Sequence, residues 1–365
     1  MLKPRVVVAM SGGVDSSVAA CLLKSEGYDV VGVTMKLWDD DRSTGDIYSK
    51  GCCTLEDVED ARRVCQIIGV PHYVMNFQKE FKEHVIDYFI SEYQKGRTPH
   101  PCLACNDKIK FDFLLNKAKA LGIDYVATGH YARLEHNKDV SRLRMGIDQA
   151  KDQSYVLFNL KPYQSKNLLL PIGSYTKTEI RGIAREFDLP VANKPDSQEI
   201  CFIPMNDYRA FISERSSSRP GDIVDISGNV LGNHDGIENF TVGQRRGLGI
   251  NSTKPLFVVK IVMDANQVVV GQANDLLSDS LWASGVNYLT GVQPESEMFV
   301  RAKIRYKAGL SDAKLIPHGQ WVQINFSEPQ RAITPGQAVV FYLGDEVIGG
   351  AYIEGNGVPS ELVSL

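Results

Sequence analysis

Three groups of residues in this 365-residue chain could do chemistry: a glycine–serine turn near the N-terminus, two cysteine-bearing segments and a run of cations near the C-terminus. The turn, Ser11-Gly12-Gly13-Val14-Asp15-Ser16, follows a short β-branched run and precedes a helical pattern. Glycines let a backbone approach a ligand closely, and the first N–H groups of a helix carry partial positive charge. The order strand, turn, helix therefore predicts a cradle for phosphate groups, in which Asp15 either caps the helix or helps to hold a magnesium ion.

The same turn restricts the class of nucleotide-binding protein. It contains neither G-x-G-x-x-G nor the lysine-bearing G-x-x-x-x-G-K-[ST], which disfavours dinucleotide-binding folds and P-loop NTPases. It resembles the pyrophosphate loop of the ATP pyrophosphatase superfamily, whose members split ATP between the α- and β-phosphates and adenylate a carbonyl oxygen. The resemblance implies ATP as the activating substrate but leaves the acceptor open, because argininosuccinate, GMP, NAD and lysidine synthetases and several thiolases share such a loop.

The cysteines indicate what kind of acceptor chemistry to expect. They are Cys21, Cys52, Cys53, Cys65, Cys102, Cys105 and Cys201. An odd number, with none after residue 201, is not the disulfide framework of a secreted protein. Cys21 and Cys65 fit apolar helical patterns and are predicted to be core residues, whereas Cys52 and Cys53 lie in a loop. The C-x-x-C at 102–105 lacks the second Cys or His pair of a structural zinc site. Because both cysteine loops are predicted to lie beyond the edge of the sheet that carries the phosphate loop, we expect Cys105 and Cys201 to face each other across the nucleotide site.

The bulk composition is that of an ordinary globular protein, with 43% hydrophobic and 23% charged residues. A formal charge of −4 predicts that any RNA site depends on local basic patches. No apolar run approaches the ~20 residues of a membrane span, and the first predicted strand begins near Arg5. These features predict a cytoplasmic protein of two or three domains.

Alternating strand and helix patterns fill the first 205 residues and predict a doubly wound parallel α/β domain. Strands are predicted at 5–9, 29–35, 70–77 and 124–128, with helices between and after them, at 18–24, 54–68, 80–94, 109–120 and 177–187. Met35 and Gly129 lie at strand ends, where open α/β sheets bind ligands, so we expect Met35 against an adenine ring and Gly129 near a ribose or base. Pro99 and Pro101 are expected to hold residues 96–106 as an extended loop.

The pattern changes after residue 205, where short alternating strands and frequent glycines predict a small central domain at 206–281 and a C-terminal β-barrel at 282–365. Barrel strands are predicted at 298–305, 321–326, 338–343 and 347–353. Alternation along the first of these strands would place Arg301, Lys303, Arg305 and Lys307 on one face, where they could contact phosphates.

Six motifs occur in an order that resembles the bacterial tRNA-specific 2-thiouridylase family. They are Ser-Gly-Gly-Val-Asp-Ser, Gly-Arg-Thr-Pro-His-Pro-Cys-Leu-Ala-Cys-Asn, Ala-Thr-Gly-His-Tyr, Lys-Asp-Gln-Ser-Tyr, Asp-Ser-Gln-Glu-Ile-Cys-Phe-Ile and Gly-Gln-Arg-Arg-Gly-Leu-Gly. The resemblance covers essentially the whole chain. It implies that ATP adenylates the C2 oxygen of the wobble uridine (U34) in tRNAs for Lys, Glu and Gln, and that sulfur then replaces this oxygen to give 2-thiouridine.

The resemblance also implies roles for individual residues. Cys201 would carry a persulfide loaded by a sulfur-relay protein from a cysteine desulfurase, and Cys105 would be the second catalytic cysteine, which releases the sulfur and ends disulfide-bonded to Cys201. The residues implied for ATP, with Mg²⁺, are Ala9, Met10, Ser11, Gly12, Gly13, Val14, Asp15, Ser16, Met35 and Gly129. Those implied for the target base are His100, Pro101 and Cys102, and those for the rest of the tRNA are His130, Lys151, Asp152, Gln153, Arg305, Tyr306 and Gln337. The target uridine must leave its stack, so a closed pocket is expected.

One departure from the family pattern leaves a second mechanism open. Many members carry Asp where this chain has Cys102, so Cys102, Cys105 and Cys201 could instead ligate an iron-sulfur cluster with one open iron site for hydrosulfide. Two other function classes remain as alternatives. An adenylating ligase would need an amine or ammonia pocket and no paired cysteines, and a non-catalytic RNA-binding protein would show no tRNA-dependent exchange between ATP and pyrophosphate.

Overall fold

The structure, a computed structural model, describes residues 3–37, 54–137, 140–196, 200–203 and 207–363. The interpretation of Cys52 and Cys53 as loop residues lies outside the described residues, as do the middle residues, 197–199, of the motif that leads to Cys201.

Strands are numbered in chain order. They are β1 Arg5–Ala9, β2 Asp29–Lys36, β3 His72–Asn76, β4 Tyr125–Thr128, β5 Ala132–Asn137, β6 Val140–Met145, β7 Leu168–Leu169, β8 Gly221–Asp225, β9 Val230–His234, β10 Phe257–Val262, β11 Gln267–Gly271, β12 Leu277–Tyr288, β13 Met298–Lys303, β14 Ser311–His318, β15 Trp321–Arg331, β16 Ala338–Leu343 and β17 Glu346–Gly355.

The α-helices are α1 Val14–Ser25, α2 Leu55–Ile67, α3 Gln78–Phe81, α4 Asp87–Gln94, α5 Pro101–Ala104, α6 Leu115–Ala120, α7 Pro162–Ser165, α8 Lys177–Glu186, α9 Tyr208–Ser213 and α10 Ser360–Val363. Among the described residues, two π-helical stretches, Lys82–Ile86 and Cys105–Leu114, and three 3₁₀ turns, Ser154–Leu157, Ile237–Asn239 and Ala273–Leu276, complete the helical elements. No helix within the described ranges combines the length and apolar character needed to cross a lipid bilayer.

The N-terminal part is built on a parallel sheet in the order β3-β2-β1-β4-β7, which confirms the predicted doubly wound fold. Successive side chains of a strand point to opposite faces. Val7 and Ala9 accordingly join a core under α4 and the π-helical stretch Cys105–Leu114, whereas Val6 and Val8 join a second core under α1, α2 and α8. Because both faces are buried, β1 is apolar along almost its whole length.

The prediction of an extended loop through 96–106 is wrong in its second half. His100 is extended, and a helix begins at Pro101 and continues through α5, the π-helical stretch and α6 to Ala120. Proline is tolerated at the first position of a helix because the N–H that it lacks would have no intrahelical partner there. Cys102 and Cys105 therefore project from the first turns of a helix, where their positions are held by its backbone.

A four-stranded sheet in the order β10-β11-β8-β9 follows, and then a closed barrel in the order β12-β15-β14-β13-β16-β17, in which β12 pairs with β17. This confirms the predicted central domain and C-terminal barrel as fold units. The boundary that the sequence analysis placed between 281 and 282 falls inside β12. The predicted alternation of cations also fails after Lys303, where β13 ends, so that Arg305, Tyr306 and Lys307 lie in a turn.

Sequence reasoning missed the hairpin β5–β6, which joins the barrel sheet beside β17 although it belongs to the N-terminal part of the chain. An ion-pair group fixes this junction: Arg144 contacts Glu135 at 2.8 Å and Asp345 at 2.7 Å. The N-terminal part and the barrel consequently share a continuous sheet, and the barrel is held beside the α/β unit.

Candidate functional site

The predicted phosphate loop lies at the carboxyl end of β1. Gly13 is the N-cap residue of α1, with extended backbone angles and no capping side chain, so the prediction that Asp15 caps the helix is wrong. The hydroxyl of Ser17 donates to Gly13 O at 2.8 Å, and the backbone N–H of Ser11 donates to Ser16 Oγ at 3.2 Å. These bonds tie the turn to the first helical turn, where backbone N–H groups can receive an anion.

Two glycines of this site are required by close approaches of other chain segments. A Cβ atom on Gly12, whose φ is +71°, would lie 2.4 Å from the carbonyl oxygen of Asp57. One on Gly129 would lie 2.6 Å from the backbone nitrogen of Ser16. The end of β4 therefore contacts the start of α1. This contact brings together three of the residues predicted to bind ATP, Gly129, Asp15 and Ser16.

Lys177, which sequence reasoning did not select, lies at the centre of the site's charges. Its Nζ is 2.8 Å from both carboxylate oxygens of Asp15 and 2.8 Å from Asp196, and only 13% of its side chain is exposed. The hydroxyl of Tyr131 donates to Asp15 at 2.7 Å. Burial, and then the negative charge of Asp15, raise the pKa of the Tyr131 hydroxyl, so that it remains a donor. The sequence does contain one signal for this lysine. The capping box at Thr176 predicts that a helix starts there, and it places Lys177 at the first position of α8.

Asp196 connects this charge group to the segment that leads to Cys201. Its carboxylate contacts Lys151 and Lys177 at 2.8 Å and Arg181 at 3.1 Å. Burial would raise the pKa of Asp196, but hydrogen bonds from the two lysines outweigh it and lower the pKa to about 2. Because Asp196 is ionised at neutral pH, it fixes the chain at residue 196 to α8 and to Lys151.

Lys194 provides a second attachment for the same segment. Its Nζ lies 2.8 Å from Asp57 and 2.6 Å from Asp60, both on α2. Burial would lower the pKa of Lys194, but the hydrogen bonds that it donates to the two aspartates outweigh this effect and raise the pKa. Since the carbonyl of Asp57 also abuts Gly12, the phosphate loop and the segment before Cys201 meet on the same turn of α2.

Cys105 and Cys201 both pack against one hydrophobic cluster, which also contains Ala9 and Met35. Each cysteine is partly buried, whereas Cys102 is exposed. Phe202, the residue after Cys201, is buried in that cluster between the rings of Phe81 and Phe89. The two cysteines therefore pack on the same face of the parallel sheet as the side chains of Ala9 and Met35.

The residues predicted to contact the target base lie between this cluster and the barrel. The His100 ring is 6.1 Å from the ring of Tyr155 and 6.2 Å from that of Tyr306, which the barrel supplies. Burial lowers the pKa of His100 to about 4, so the imidazole is neutral at pH 7. Among the described residues its buried Nδ1 has no hydrogen-bond partner, and a ligand could supply one. Burial, then the charge of Asp152 and then that of Cys102, raise the pKa of the Tyr306 hydroxyl.

The barrel also holds the segment that precedes His100. The amide of Gln337 donates to Thr98 O at 2.8 Å, and the N–H of Thr98 donates to Pro335 O at 2.8 Å. Arg97 pairs with Glu92 of α4 at 2.7 Å and with Glu354 of β17. Gln337, which was predicted to contact tRNA, thus binds the backbone beside the base site.

Several other residues predicted to contact tRNA have partners inside the protein. Asp152 is buried and accepts hydrogen bonds from the backbone N–H groups of Gly146 and Ser154. His130 is 6% exposed and lies 2.7 Å from the hydroxyl of Thr128. Burial lowers its pKa well below the usual value. The remaining two also bind protein groups: Gln153 Oε1 accepts from the N–H of Tyr131, and Arg305 donates to Arg331 O at 2.9 Å.

Within the described ranges, no three His, Cys, Asp or Glu side chains are grouped so that they could hold a metal ion. Cys102, Cys105 and Cys201 are all described residues, and they do not form such a ligand set. The arrangement does not fit an iron-sulfur cluster.

Comparison with known proteins agrees with this geometry. Three family profiles match consecutive parts of the chain: a tRNA methyl transferase HUP domain at 4–205, a tRNA methyl transferase PRC-barrel domain at 209–272 and an aminomethyltransferase beta-barrel domain at 278–353. A tRNA-specific 2-thiouridylase MnmA of Carboxydothermus hydrogenoformans is 51% identical over 96% of this chain and 98% of its own length. A tRNA-specific 2-thiouridylase MnmA 2 of Clostridium tetani is 53% identical over 97% of this chain and 99% of its own.

The chain belongs to the tRNA-specific 2-thiouridylase family. The family predicted from the order of the six motifs is confirmed, and with it the prediction of a sulfurtransferase. The thiouridylase relatives match this chain over almost its whole length, so the α/β unit, the central sheet and the barrel all belong to what the family shares.

Proposed function

We propose that this protein uses ATP and Mg²⁺ to replace the C2 oxygen of the wobble uridine in tRNAs for Lys, Glu and Gln with sulfur. The observation that carries the proposal is that a single hydrophobic cluster contains Ala9 and Met35, at the ends of β1 and β2, and supports Cys105 and Cys201. A sulfur-transfer enzyme of this kind needs two thiols beside the base that ATP activates. Membership of the thiouridylase family supports the same reaction.

The phosphate loop performs the activation step. The uridine O2 attacks the α-phosphorus of ATP, the bond to the bridging oxygen of the β-phosphate breaks, and pyrophosphate leaves. The N–H groups at the start of α1 and the ammonium of Lys177 stabilise the negative charge that accumulates on the pyrophosphate. Mg²⁺ held near Asp15 would neutralise part of the same charge when it is bound with the nucleotide. Residues 9–16, Met35 and Gly129 enclose ATP.

The two cysteines perform the sulfur transfer. The terminal sulfur of a Cys201 persulfide attacks C2 of the adenylated uridine, and AMP leaves with the oxygen. The Cys105 thiolate then attacks Sγ of Cys201 and breaks the bond between this sulfur and the sulfur on C2 of the uridine. This step releases 2-thiouridine and forms a Cys105–Cys201 disulfide. An external thiol reductant regenerates both thiols. Cytoplasmic cysteine desulfurase, directly or through a sulfur-relay protein, supplies the persulfide sulfur.

His100, Pro101 and Cys102 hold the flipped uridine, with Tyr306 opposite His100. The buried Nδ1 of the neutral His100 ring supports this role, because the edge of a base can supply the hydrogen-bond partner that it lacks among the described residues. Lys151 and Arg305 contribute positive charge to the tRNA site. Asp152, Gln153, His130 and Gln337 act on the tRNA indirectly, by fixing the chain around these groups.

The proposal is tested by incubating the purified protein with unmodified tRNA, ATP, Mg²⁺, a cysteine desulfurase and cysteine, followed by mass analysis of the wobble nucleoside. We expect 2-thiouridine with the wild type and none with Cys201→Ser, while Cys102→Ser, which alters a contact to the base but removes neither sulfur carrier, still forms 2-thiouridine. Sulfur incorporation from inorganic sulfide alone, abolished equally by changes at Cys102, Cys105 and Cys201, would contradict the persulfide route.

A further inference from the structure

The glycine-rich basic loop of the central sheet region has no role in the reaction described above. It contains Arg245 and Arg246, both exposed, between Gly243 and Gly249. Neither arginine forms an ion pair with a carboxylate in the part of the chain that the structure describes. Exposed cations without acidic partners keep their full charge available for a ligand that carries negative charge.

The loop is braced by its own hydrogen bonds. The side chain of Gln244 accepts from the N–H of Thr241 at 3.1 Å and donates to the carbonyl of Arg246 at 3.0 Å. The backbone of Gln244 also accepts from the N–H of Val258 on β10 at 2.9 Å. The backbone that carries the two arginines is thereby held in place before any ligand binds, which lowers the ordering entropy lost on binding.

The loop is also attached to the segment that carries the base site. The hydroxyl of Thr241 lies 3.2 Å from that of Thr98, which is two residues before His100. Tyr306 lies on the other side of His100. The residue before it, Arg305, donates a hydrogen bond to the carbonyl of Arg331. The segment that carries His100 is therefore contacted by Thr241 of the central domain and by Tyr306 of the barrel, each of which lies within a few residues of an arginine.

Two further arginines contact the central domain. The guanidinium of Arg331 lies 4.9 Å from the centre of the Phe257 ring of the central sheet, and that of Arg209 lies beside Gly247 in the basic loop. Neither of them forms an ion pair with a carboxylate in the described ranges. We call Arg209, Arg245, Arg246 and Arg331 the arginine surface.

We propose that the arginine surface binds the backbone phosphates of the tRNA strand next to the target uridine, with Arg245 and Arg246 making the principal contacts. This inference rests on the proposed function, because it assigns the surface to the same RNA substrate. A flipped nucleotide draws its two flanking phosphates toward the protein, and arginine forms bidentate hydrogen bonds with phosphate oxygens. Since the contacts are to phosphates, they strengthen binding to different tRNAs alike and do not select the base.

The experiment compares the wild type with three variants of the full chain: R245A/R246A, R245K/R246K and R185A. Arg185 is an exposed arginine near the end of α8 and serves as the matched control. Binding of an unmodified tRNA transcript is measured without ATP at several salt concentrations, and thiolation is measured at saturating tRNA. We expect R245A/R246A to weaken binding about tenfold and to reduce the slope of log affinity against log salt by about 1 to 2, since each phosphate contact contributes about 0.7–0.9 to that slope.

R245K/R246K should keep most of the slope, R185A should match the wild type, and the KM for ATP should be unchanged in all three variants. Equal affinity and slope for the wild type and R245A/R246A would overturn the inference, and so would a loss in the lysine variant as large as in the alanine variant. If the wild type binds tRNA with this salt dependence but forms no 2-thiouridine, the proposed function fails while the assignment of the arginine surface stands.

Discussion

Lys177 and Asp15 form an ion pair in which the lysine Nζ lies 2.8 Å from each carboxylate oxygen. The same ammonium contacts Asp196 at 2.8 Å, so a single side chain connects the phosphate loop with the segment that leads to Cys201. An ATP phosphate that enters the loop brings negative charge next to Asp15, and Lys177 is the buried cation already in place to offset it.

Lys177→Met should therefore impair ATP activation. We expect tRNA-dependent release of AMP and pyrophosphate to fall by about 10²-fold, the usual effect of removing one preorganised charge at a reacting centre. Lys166→Met, at an exposed lysine outside the site, is the control and should leave the rate unchanged. The measurement is pyrophosphate release at saturating ATP, and wild-type rates in Lys177→Met would remove this lysine from the activation step.

Changes at the two catalytic cysteines should separate activation from sulfur transfer. Cys201→Ser and Cys105→Ser keep the phosphate loop intact, so both should still adenylate the uridine while forming no 2-thiouridine over repeated turnovers. Only Cys105→Ser should accumulate a covalent complex in which Cys201 remains joined to the base through its persulfide sulfur, because the second thiol is needed to break that bond. Non-reducing gel electrophoresis with labelled tRNA detects this complex, and its absence would argue against the order of the two thiols.

Gly129→Ala should disrupt the nucleotide site, because the added methyl group would lie 2.6 Å from the nitrogen of Ser16. Either β4 or the start of α1 must shift, which displaces the N–H groups that receive the phosphates. We expect ATP affinity, measured by calorimetry, to fall at least tenfold, about 1.4 kcal/mol. Gly182→Ala in α8 is the matched control: nothing lies within 4 Å of the added atom, and alanine in a helix should raise the free energy of unfolding by up to about 1 kcal/mol.

The ion pairs of Arg97 should stabilise the attachment of the barrel to the segment that precedes His100. Arg97→Met leaves Glu92 and Glu354 without this cation, and the Glu92 side chain is only 10% exposed. We expect the free energy of unfolding in urea to fall by about 3 kcal/mol, the usual cost of removing one partner of a buried ion pair, because the cation that remains beside Glu92, Lys95 at 3.1 Å, is more than half exposed. Arg215→Met removes a pair with the largely exposed Glu214 and should cost less than about 1 kcal/mol. Equal losses of unfolding free energy in the two variants would show that the ion pairs of Arg97 contribute no more to stability than an exposed pair.

The protein should lose stability as the pH falls, in part because of His100. Its pKa is about 4 in the folded protein against an ordinary value of 6.5, so the unfolded chain binds more protons between those values. The contribution of His100 is thus fully present above pH 6.5 and is lost as the pH falls toward 4, by about 3 kcal/mol in total. His100→Gln should reduce the difference in unfolding free energy between pH 7 and pH 5, whereas His318→Gln, at an exposed barrel position, should not. Denaturant titrations at the two pH values measure this.

The sequence by itself was sufficient for the fold of the N-terminal unit and for the family. The apolar strands, their alternation with helices and the Ser-Gly-Gly-Val-Asp-Ser turn depend on local spacing, which the chain shows directly. The helix that begins at Pro101 was predicted wrongly because a proline was treated as a helix breaker, although its place at the first helical position makes it compatible.

Only the tertiary structure decided how distant residues meet. Lys177, Asp196 and Asp15 are far apart in the chain, and nothing in local spacing indicates that one ammonium contacts both carboxylates. The sequence pattern of the β5–β6 hairpin does not distinguish it from a loop, and its place in the barrel sheet comes from pairing with β17. The common support of Cys105 and Cys201 arises because side chains from separate strands and helices bury their apolar surface in one cluster, and burial depends on the whole packed chain.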